Sequence, residues 1–489
     1  MGLSLALNTA RSSLLASSAQ MEVISRNTAG ATDASYSRKI ASLVTSGGAA
    51  RVMVTRASDS ALFFKMLGTT SNAATQQAIL KGLEKLEYTV GDTNLNGSVA
   101  ARIGALNSAL SQYANKPDDA TLGRAVVDRA SELASQLNEA SATVQSVRKD
   151  ADTAVAESVN RINDLLRKFE VVNAAVVKGT AAGIDISDAL DSRDKILAQL
   201  SEEMGITVST RENNDIAIYT DSGVTLFEKT PRSVTFTPTN TFAAGMTGGA
   251  VYVDGVQVTG DGPMPLHSGK LVGLISVRDE IAVTYQGQLD AIAAGLIEAF
   301  AEADQVPPVG DKKTGLLTYA GAVAGNLPSG AALVGLAGRI STNSLIDPAK
   351  GGNLDRLRDG GANGPDYVYN PAGVGSNAAF SGRLYEIGDS LSVDRTFDPA
   401  LGLGAPASLQ AFAAFSASWI EENRKTASTE VDYRVTLLGH ASEALSNATG
   451  VNMDEETALM LQIEKSYSAS AKLLSVIDEM LRALLDAVR

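Results

Sequence analysis

The chain contains no cysteine among its 489 residues. Disulfides, thiolate metal sites and cysteine nucleophiles are excluded together, and a chain without thiols can enter an oxidising exterior without forming wrong bridges. Histidine is nearly absent, with only His267 and His440, far apart in sequence. No Gly-x-Ser-x-Gly, His-Glu-x-x-His, Walker A or dinucleotide-binding pattern occurs. Aromatic residues make up 5% of the chain, so apolar volume must come from Ala, Val, Leu and Ile, which suits long, closely packed helices. No apolar run is long enough to span a bilayer. The N-terminal stretch lacks a basic leader, a continuous apolar core and a cleavage site, so any export is expected to use a route that leaves it uncut.

Positive charge is also in deficit. Lys and Arg total 41 against 55 Asp and Glu, a net charge of −14. No segment concentrates basic residues, so neither nucleic acid nor an anionic membrane surface is an expected partner. The start of a calcium loop is visible at Asp92-Thr-Asn94-Leu-Asn96-Gly97, but the position that needs a bidentate Glu holds Ile103. No metal and no cofactor are therefore expected. The acidic groups Glu202-Glu203 and Asp454-Glu455-Glu456 read as solvated helix ends or turns.

The two ends carry the most information. Leu3, Leu7, Ala10, Leu14, Ser17, Met21, Ile24 and Thr28 alternate spacings of four and three, and Met460, Ile463, Tyr467, Ser470, Leu474, Ile477, Leu481, Leu484 and Val488 do the same from the other end. Such spacing makes a narrow apolar stripe on a helix, the seam of a coiled coil. Residues 1–30 contain only Arg11, Glu22 and Arg26 as charges. A helix so poor in solvating groups is expected to gain order when several copies pack together.

A second periodic run starts after Pro117-Asp118-Asp119 and continues through Leu122, Val126, Leu133, Leu137, Val144, Val155, Ile162, Phe169 and Val176 to Gly179. An acidic pair suits a helix start and a glycine its end; unbroken, the helix reaches about 90 Å. A shorter helix is expected at Asp188–Met204. From Ile206 to Val258 the period falls to two, as in strands, and Tyr252-Val-Asp254-Gly255-Val256 reads as a tight hairpin. Helix is expected again at Leu271–Phe300, then a Gly-, Ala-, Asn- and Pro-rich stretch of short strands and loops. Helix returns at Leu409–Leu445, breaks at Asn447-Ala-Thr-Gly450 and restarts behind Asn452, placed to cap it.

The expected architecture is mainly α with a β-containing region: coiled-coil-like helices from both termini, a nested helix-plus-strand domain and an inserted, loop- and β-rich outer domain. Its boundaries are an N-terminal helical core segment at 1–55 that pairs with a C-terminal helical core segment at 446–489. A long-helix rod domain with β-hairpins occupies 56–300 and 405–445, and the outer domain occupies 301–404.

Three groups of residues resemble the flagellar axial proteins, the family of rod, hook and hook-associated subunits. Asn27-Thr-Ala-Gly30 through Ser35-Tyr36-Ser37-Arg38 is similar to that family's N-terminal signature, with Ser35 where glycine is usual and Thr28 where isoleucine is common. Gly450-Val-Asn452-Met-Asp454-Glu455-Glu456, running through Tyr467-Ser-Ala-Ser-Ala471-Lys472 to Leu484-Leu485-Asp-Ala-Val488-Arg489, is similar to its C-terminal one. Asp188-Ala-Leu-Asp191-Ser-Arg193-Asp194 and Leu271-Val-Gly-Leu-Ile-Ser-Val-Arg278-Asp279 resemble segments of the hook-associated members at the hook–filament junction. The stretch 301–405 carries no such motif; an enzyme or adhesin module would have to lie there, and no nucleophile–base pair or metal cage can be named in it.

The resemblance implies a non-enzymatic structural subunit, secreted through the flagellar type III export apparatus with a chaperone. It would assemble with copies of itself into a ring between hook protein and the next hook-associated protein. Another axial protein, such as hook, the third hook-associated protein or a flagellin-like subunit, is the alternative. The assembly surfaces are expected at Leu7, Leu14, Met21, Ile24, Asn27, Tyr36, Ser37 and Arg38, and at Ile463, Tyr467, Leu474, Ile477, Leu481, Leu484 and Val488.

Overall fold

The computed structural model describes residues 2–33, 35–46, 49–90, 97–373, 377–404 and 406–487. Residues 92–96 of the calcium-loop-like run lie outside the described residues.

Helix α1 (Gly2–Gly30) leads into an antiparallel hairpin, β1 (Lys39–Ser46) and β2 (Ala49–Arg56), in register from Lys39 opposite Arg56 to Ser46 opposite Ala49. The N-terminal segment is thus helical only to Gly30. Helices α2 (Ser60–Glu87) and α3 (Val99–Asn115) follow, and their starts are capped by Asp59, which accepts from the Leu62 amide, and Ser98, which accepts from that of Ala101.

Helix α4 (Ala120–Ala182) runs 63 residues without a break. Asp119 caps it by accepting the Thr121 amide, and its heptad positions Val126, Leu133, Leu137, Val144, Val155, Ile162, Phe169 and Val176 are all buried. It stops at Gly183, left-handed with φ 65°, and not at Gly179. Gly179 lies inside the helix, where Ile186 folds back so closely that a Cβ would stand 2.3 Å from its methyl, so the glycine serves packing there and not termination.

After α5 (Ser187–Glu203) come strands β3 (Ile206–Thr210), β4 (Ile216–Thr220) and β5 (Thr225–Phe227), paired in that order as an antiparallel sheet. A second sheet joins β6 (Val234–Phe236), β7 (Val251–Val253) and β8 (Val256–Gln257). Asp254 (φ 49°) and Gly255 (φ 83°) make the β7–β8 turn, the positive pair that an Asp-Gly hairpin requires. Residues of both sheets join the C-terminal half of α4 and α5 in one apolar core that includes Phe169, Leu197, Leu200, Ile218, Leu226 and Phe227.

Helix α6 (Lys270–Ser276) passes through one π-helical turn (Val277–Ile281) into α7 (Ala282–Ala299). Where α6 crosses α2, a Cβ on Gly273 would lie 2.3 Å from the Thr75 carbonyl oxygen, so only glycine permits this approach. At the π turn Arg278 is buried and pairs with Asp152 and Asp279. Arg148, also buried, donates to the Arg278 carbonyl (2.9 Å) and to that of Ala243, while the Thr239 amide donates to Asp152 (2.7 Å). Burial lowers the Arg148 guanidinium below its usual range, against the opposing pull of Asp279.

The loop-rich stretch after α7 contains the pair β9 (Leu317–Tyr319) and β10 (Ile340–Thr342) and the short helices α8 (Asp355–Asp359) and α9 (Gly382–Ser392). The boundary expected at 301 does not appear as a break in packing. Leu317, Leu336, Ile340, Leu357, Leu384 and Ile387 share one core with Leu106, Leu133, Leu289 and Phe412 of the surrounding helices. Helix α10 (Leu409–Thr449) returns along α2, Gly450 interrupts it, and α11 (Met453–Ala487) runs back beside α1.

Candidate assembly site at the joined chain ends

The terminal helices pair along small residues. Ala10, Ala16, Ser17 and Ile24 of α1 are buried, as are Ser470 and Ile477 of α11, and the Ser13 and Ser470 hydroxyls meet at 3.0 Å. On α11 the seam repeats every seven residues, through Glu456, Ile463, Ser470 and Ile477, with Leu474 and Leu481 half-buried beside it. Leu7, Leu14 and Met21 flank the α1 side half-buried. Tyr467 and Leu484, expected in the same surface, are exposed, and Val488 lies outside the described residues. A separate run of large apolar side chains, Leu459, Leu473, Val476, Met480 and Leu485, points from α11 into solvent. So many exposed on one helix exceed the scattered apolar residues of an ordinary surface.

Where α1 meets the start of α11 the stripe gives way to a buried polar clasp. Asn27, 1% exposed, donates from its amide nitrogen to the Lys39 carbonyl (2.9 Å) and to Glu456 (3.1 Å). Its amide oxygen accepts from the Lys39 backbone N–H (2.9 Å) and the Tyr36 hydroxyl (3.0 Å). All four hydrogen-bonding positions of the asparagine side chain are filled. Arg38 then ties the two ends: its Nε donates to Glu456 and its Nη1 to Glu455, each at 2.7 Å, and its backbone N–H to the Thr449 carbonyl at 2.8 Å. Ser37 lies half-buried beside it. Asn452 caps α11, accepting from the Asp454 amide at 3.0 Å.

The reading of the acidic groups as solvated ends fails at two positions. Glu456 is 2% exposed because Asn27 and Arg38 supply its partners. Glu203 is equally buried, held by Ser158 and, at 3.0 Å, by Arg161. At Ser35 the usual glycine is not needed. Asp33 accepts from both the Ser35 amide (2.9 Å) and its hydroxyl (2.7 Å), closing the turn by side-chain hydrogen bonds.

The third motif joins the same place. Asp185, Asp188, Asp191 and Asp194, at the start of and along α5, face Arg26, Lys39 and Arg56 from the N-terminal unit. Arg26 binds Asp185 (3.2 Å) and Asp188 (2.7 Å); Lys39 binds Asp188 and Asp191 (3.3 Å); Arg56 binds Asp191 (3.0 Å) and Asp194 (2.6 Å). Each cation lies between two carboxylates. Burial pulls the Lys39 ammonium down, but Asp188 and Asp191 outweigh it and the net shift is upward. Lys39 holds Asp188 below the usual carboxylate range, whereas burial pushes Asp194 up. Lys39 also lies 4.1 Å from the Tyr36 ring centre.

Asn27, Tyr36 and Arg38, expected at contacts between copies, thus spend their polar atoms inside one chain. Sequence reasoning missed Lys39, Arg56 and Glu456. Lys39 and Arg56 come together as directly paired residues of hairpin β1–β2, which the sequence pattern does not show.

Residues 83–306 match the family model of the flagellar hook-associated protein FlgK helical domain, which spans α3 to α7 and contains the aspartates of the third motif. The chain is similar to the flagellar hook-associated proteins. Residues 442–487, which hold the end of α10 and all of α11, match the C-terminal family model of the flagellar basal body rod FlgEFG proteins. Flagellar hook-associated protein 1 of Salmonella typhimurium is 23% identical over 313 residues, 60% of this chain and 55% of the relative. The protein of the same name from Bacillus subtilis is 22% identical over 99% of this chain and 98% of its own length. The chain therefore spans about half the length of the Salmonella relative and nearly all of the Bacillus one. Among solved structures, the flagellar hook junction protein FlgK from Burkholderia pseudomallei aligns at a TM-score of 0.43 with 18% identity, covering 53% of this chain and 47% of that one.

Proposed function

We propose that the chain is a structural subunit of the bacterial flagellum, an adapter that forms a ring joining hook to filament through its paired terminal helices. The observation that carries this reading is the meeting of three sequence-distant motifs in one clasp, which sets α1 and α11 side by side and leaves a second apolar face of α11 uncovered. Leu473, Val476 and Met480 are already about half covered, so a neighbouring copy that buries the remainder gains about 0.7–1.5 kcal/mol for each. Contacts of this kind repeated by rotation close a ring, and by rotation with rise build a tube.

In this reading the expected assembly residues divide into two sets. Ile463, Leu474, Ile477 and Leu481, with Leu7, Leu14, Met21 and Ile24, hold the two ends together; Asn27, Tyr36, Ser37 and Arg38 lock that pair. Tyr467 and Leu484, exposed, meet the neighbouring copy. Hook protein on one side and the next hook-associated protein on the other are the outer partners, and the flagellar export apparatus with a chaperone delivers the chain to the cell exterior. The role is mechanical and involves no reaction, cofactor, nucleic acid or membrane.

Immunogold labelling of flagella with antibody to this chain tests the placement. Gold confined to the hook–filament junction is expected. Gold along the whole filament would favour a filament subunit instead.

A further inference from the structure

The unit made of the two chain ends, residues 2–58 and 450–487, shares neither apolar core of the body. Among the described residues, both cores begin and end within Phe63–Ile420. Two covalent crossings join unit and body, one at Ala57–Asp59 and one at Gly450, and the Arg38 N–H to Thr449 carbonyl bond lies at the second. Beyond this pivot, the ion pairs of Arg26, Lys39 and Arg56 with Asp185, Asp188, Asp191 and Asp194 connect the unit to α5.

We propose that this row of alternating charges is an electrostatic latch, and that the terminal unit swings about the Ala57 and Gly450 crossings when the latch opens. The inference stands on the geometry of the joint and does not depend on the flagellar reading. Apolar packing resists separation at any ionic strength, whereas a joint held by ion pairs weakens as salt screens them. The row is also graded. Asp188 is 73% exposed, and Arg26 and Asp185 are about one-third exposed, while the Lys39 side chain is fully covered and Arg56 and Asp191 nearly so. Water and counter-ions reach the Arg26 end first, so opening starts there and the Lys39–Asp191–Arg56 end holds longest. The two crossings differ in chain direction and lie at one end of the unit, so they permit a bend while opposing full detachment.

The absence of cysteine makes the test direct. Spin labels on the full chain at Ser18→Cys, exposed on α1, and Lys168→Cys, exposed on α4, report the distance between unit and body by double electron–electron resonance. Raising the salt from about 0.01 M to about 1 M shortens the screening length from about 30 Å to about 3 Å. A single narrow distance distribution at low salt that becomes several-fold broader at high salt is expected. The Asp188→Asn, Asp191→Asn, Asp194→Asn triple variant should be broad already at low salt, with far-ultraviolet circular dichroism unchanged. If the variant misfolds, the salt series on the unaltered row decides alone. A width that does not change with salt, whether narrow or broad, overturns the proposal.

Discussion

The Asn27 amide donates to the Glu456 carboxylate at 3.1 Å across 429 residues of chain, and both side chains are shut off from solvent. A buried carboxylate is tolerated only with charged and hydrogen-bonding partners in place. Here Arg38 supplies the charge and Asn27 the second donor, so neither chain end can form its part of the clasp without the other.

Glu456→Ala is expected to cost the joined ends about 2 kcal/mol, because buried Asn27 loses an acceptor and Arg38, partly exposed, keeps Glu455 alone. Since the clasp lies outside both cores, the loss should be local. Hydrogen exchange should speed up across residues 27–39 and 453–463 and stay unchanged in α4. Uniform loss of protection through the whole chain would show that clasp and body unfold together.

Two glycines separate strain from packing. Gly183→Ala forces an alanine into a left-handed site that is otherwise open, a cost of about 1 kcal/mol. Gly273→Ala drives a methyl into the Thr75 carbonyl and must part α6 from α2, costing about 2–3 kcal/mol. Urea unfolding of the two variants should rank them in that order.

Asp152→Ala should release the loop that crosses the π turn. It removes one carboxylate from buried Arg278 and the acceptor of the Thr239 amide, a loss of about 3 kcal/mol. Faster hydrogen exchange over residues 239–249, with β3–β5 unaffected, is the expected result.

Acid should act on the aspartate row with two signs. Lys39 depresses Asp188, so the folded chain holds that proton less tightly than the unfolded one. Its contribution is complete above the ordinary value of 3.8 and is lost as pH falls through the lower folded value. Burial raises Asp194, so its ionised form detracts from stability above its folded value, and protonation on acidification restores part of it. Urea midpoints taken from neutrality to below 3.8 should fall less steeply in Asp188→Asn and more steeply in Asp194→Asn than in the unaltered chain. Identical slopes in all three would contradict this assignment.

What the sequence showed depended on how far apart the cooperating residues lie. Helix α4 was legible because its apolar residues recur within a few positions of one another, and the β7–β8 turn because Asp254-Gly255 permits few conformations. Hairpin β1–β2 was not, since Ile40, Leu43, Val44, Val52, Met53 and Val54 do not alternate cleanly with polar residues. The stretch 301–404 lacks periodicity because it packs by short turns on helices drawn from both sides of it in the chain. At the clasp the motifs were visible but their meeting was not. An acidic run such as Asp454-Glu455-Glu456 does not announce which carboxylate will be buried, because the deciding partners, Asn27 and Arg38, lie more than four hundred residues away.

The most direct test of the account places charge on the uncovered face of α11. The combined variant Leu473→Glu, Val476→Glu, Met480→Glu alters side chains that already face solvent, so the purified chain should keep its helicity and its α1–α11 pairing. Expressed in cells lacking the natural chain, it should be exported but fail to join flagella, leaving hooks without filaments and the cells non-motile. Normal incorporation and swimming would show that this face meets no neighbouring copy.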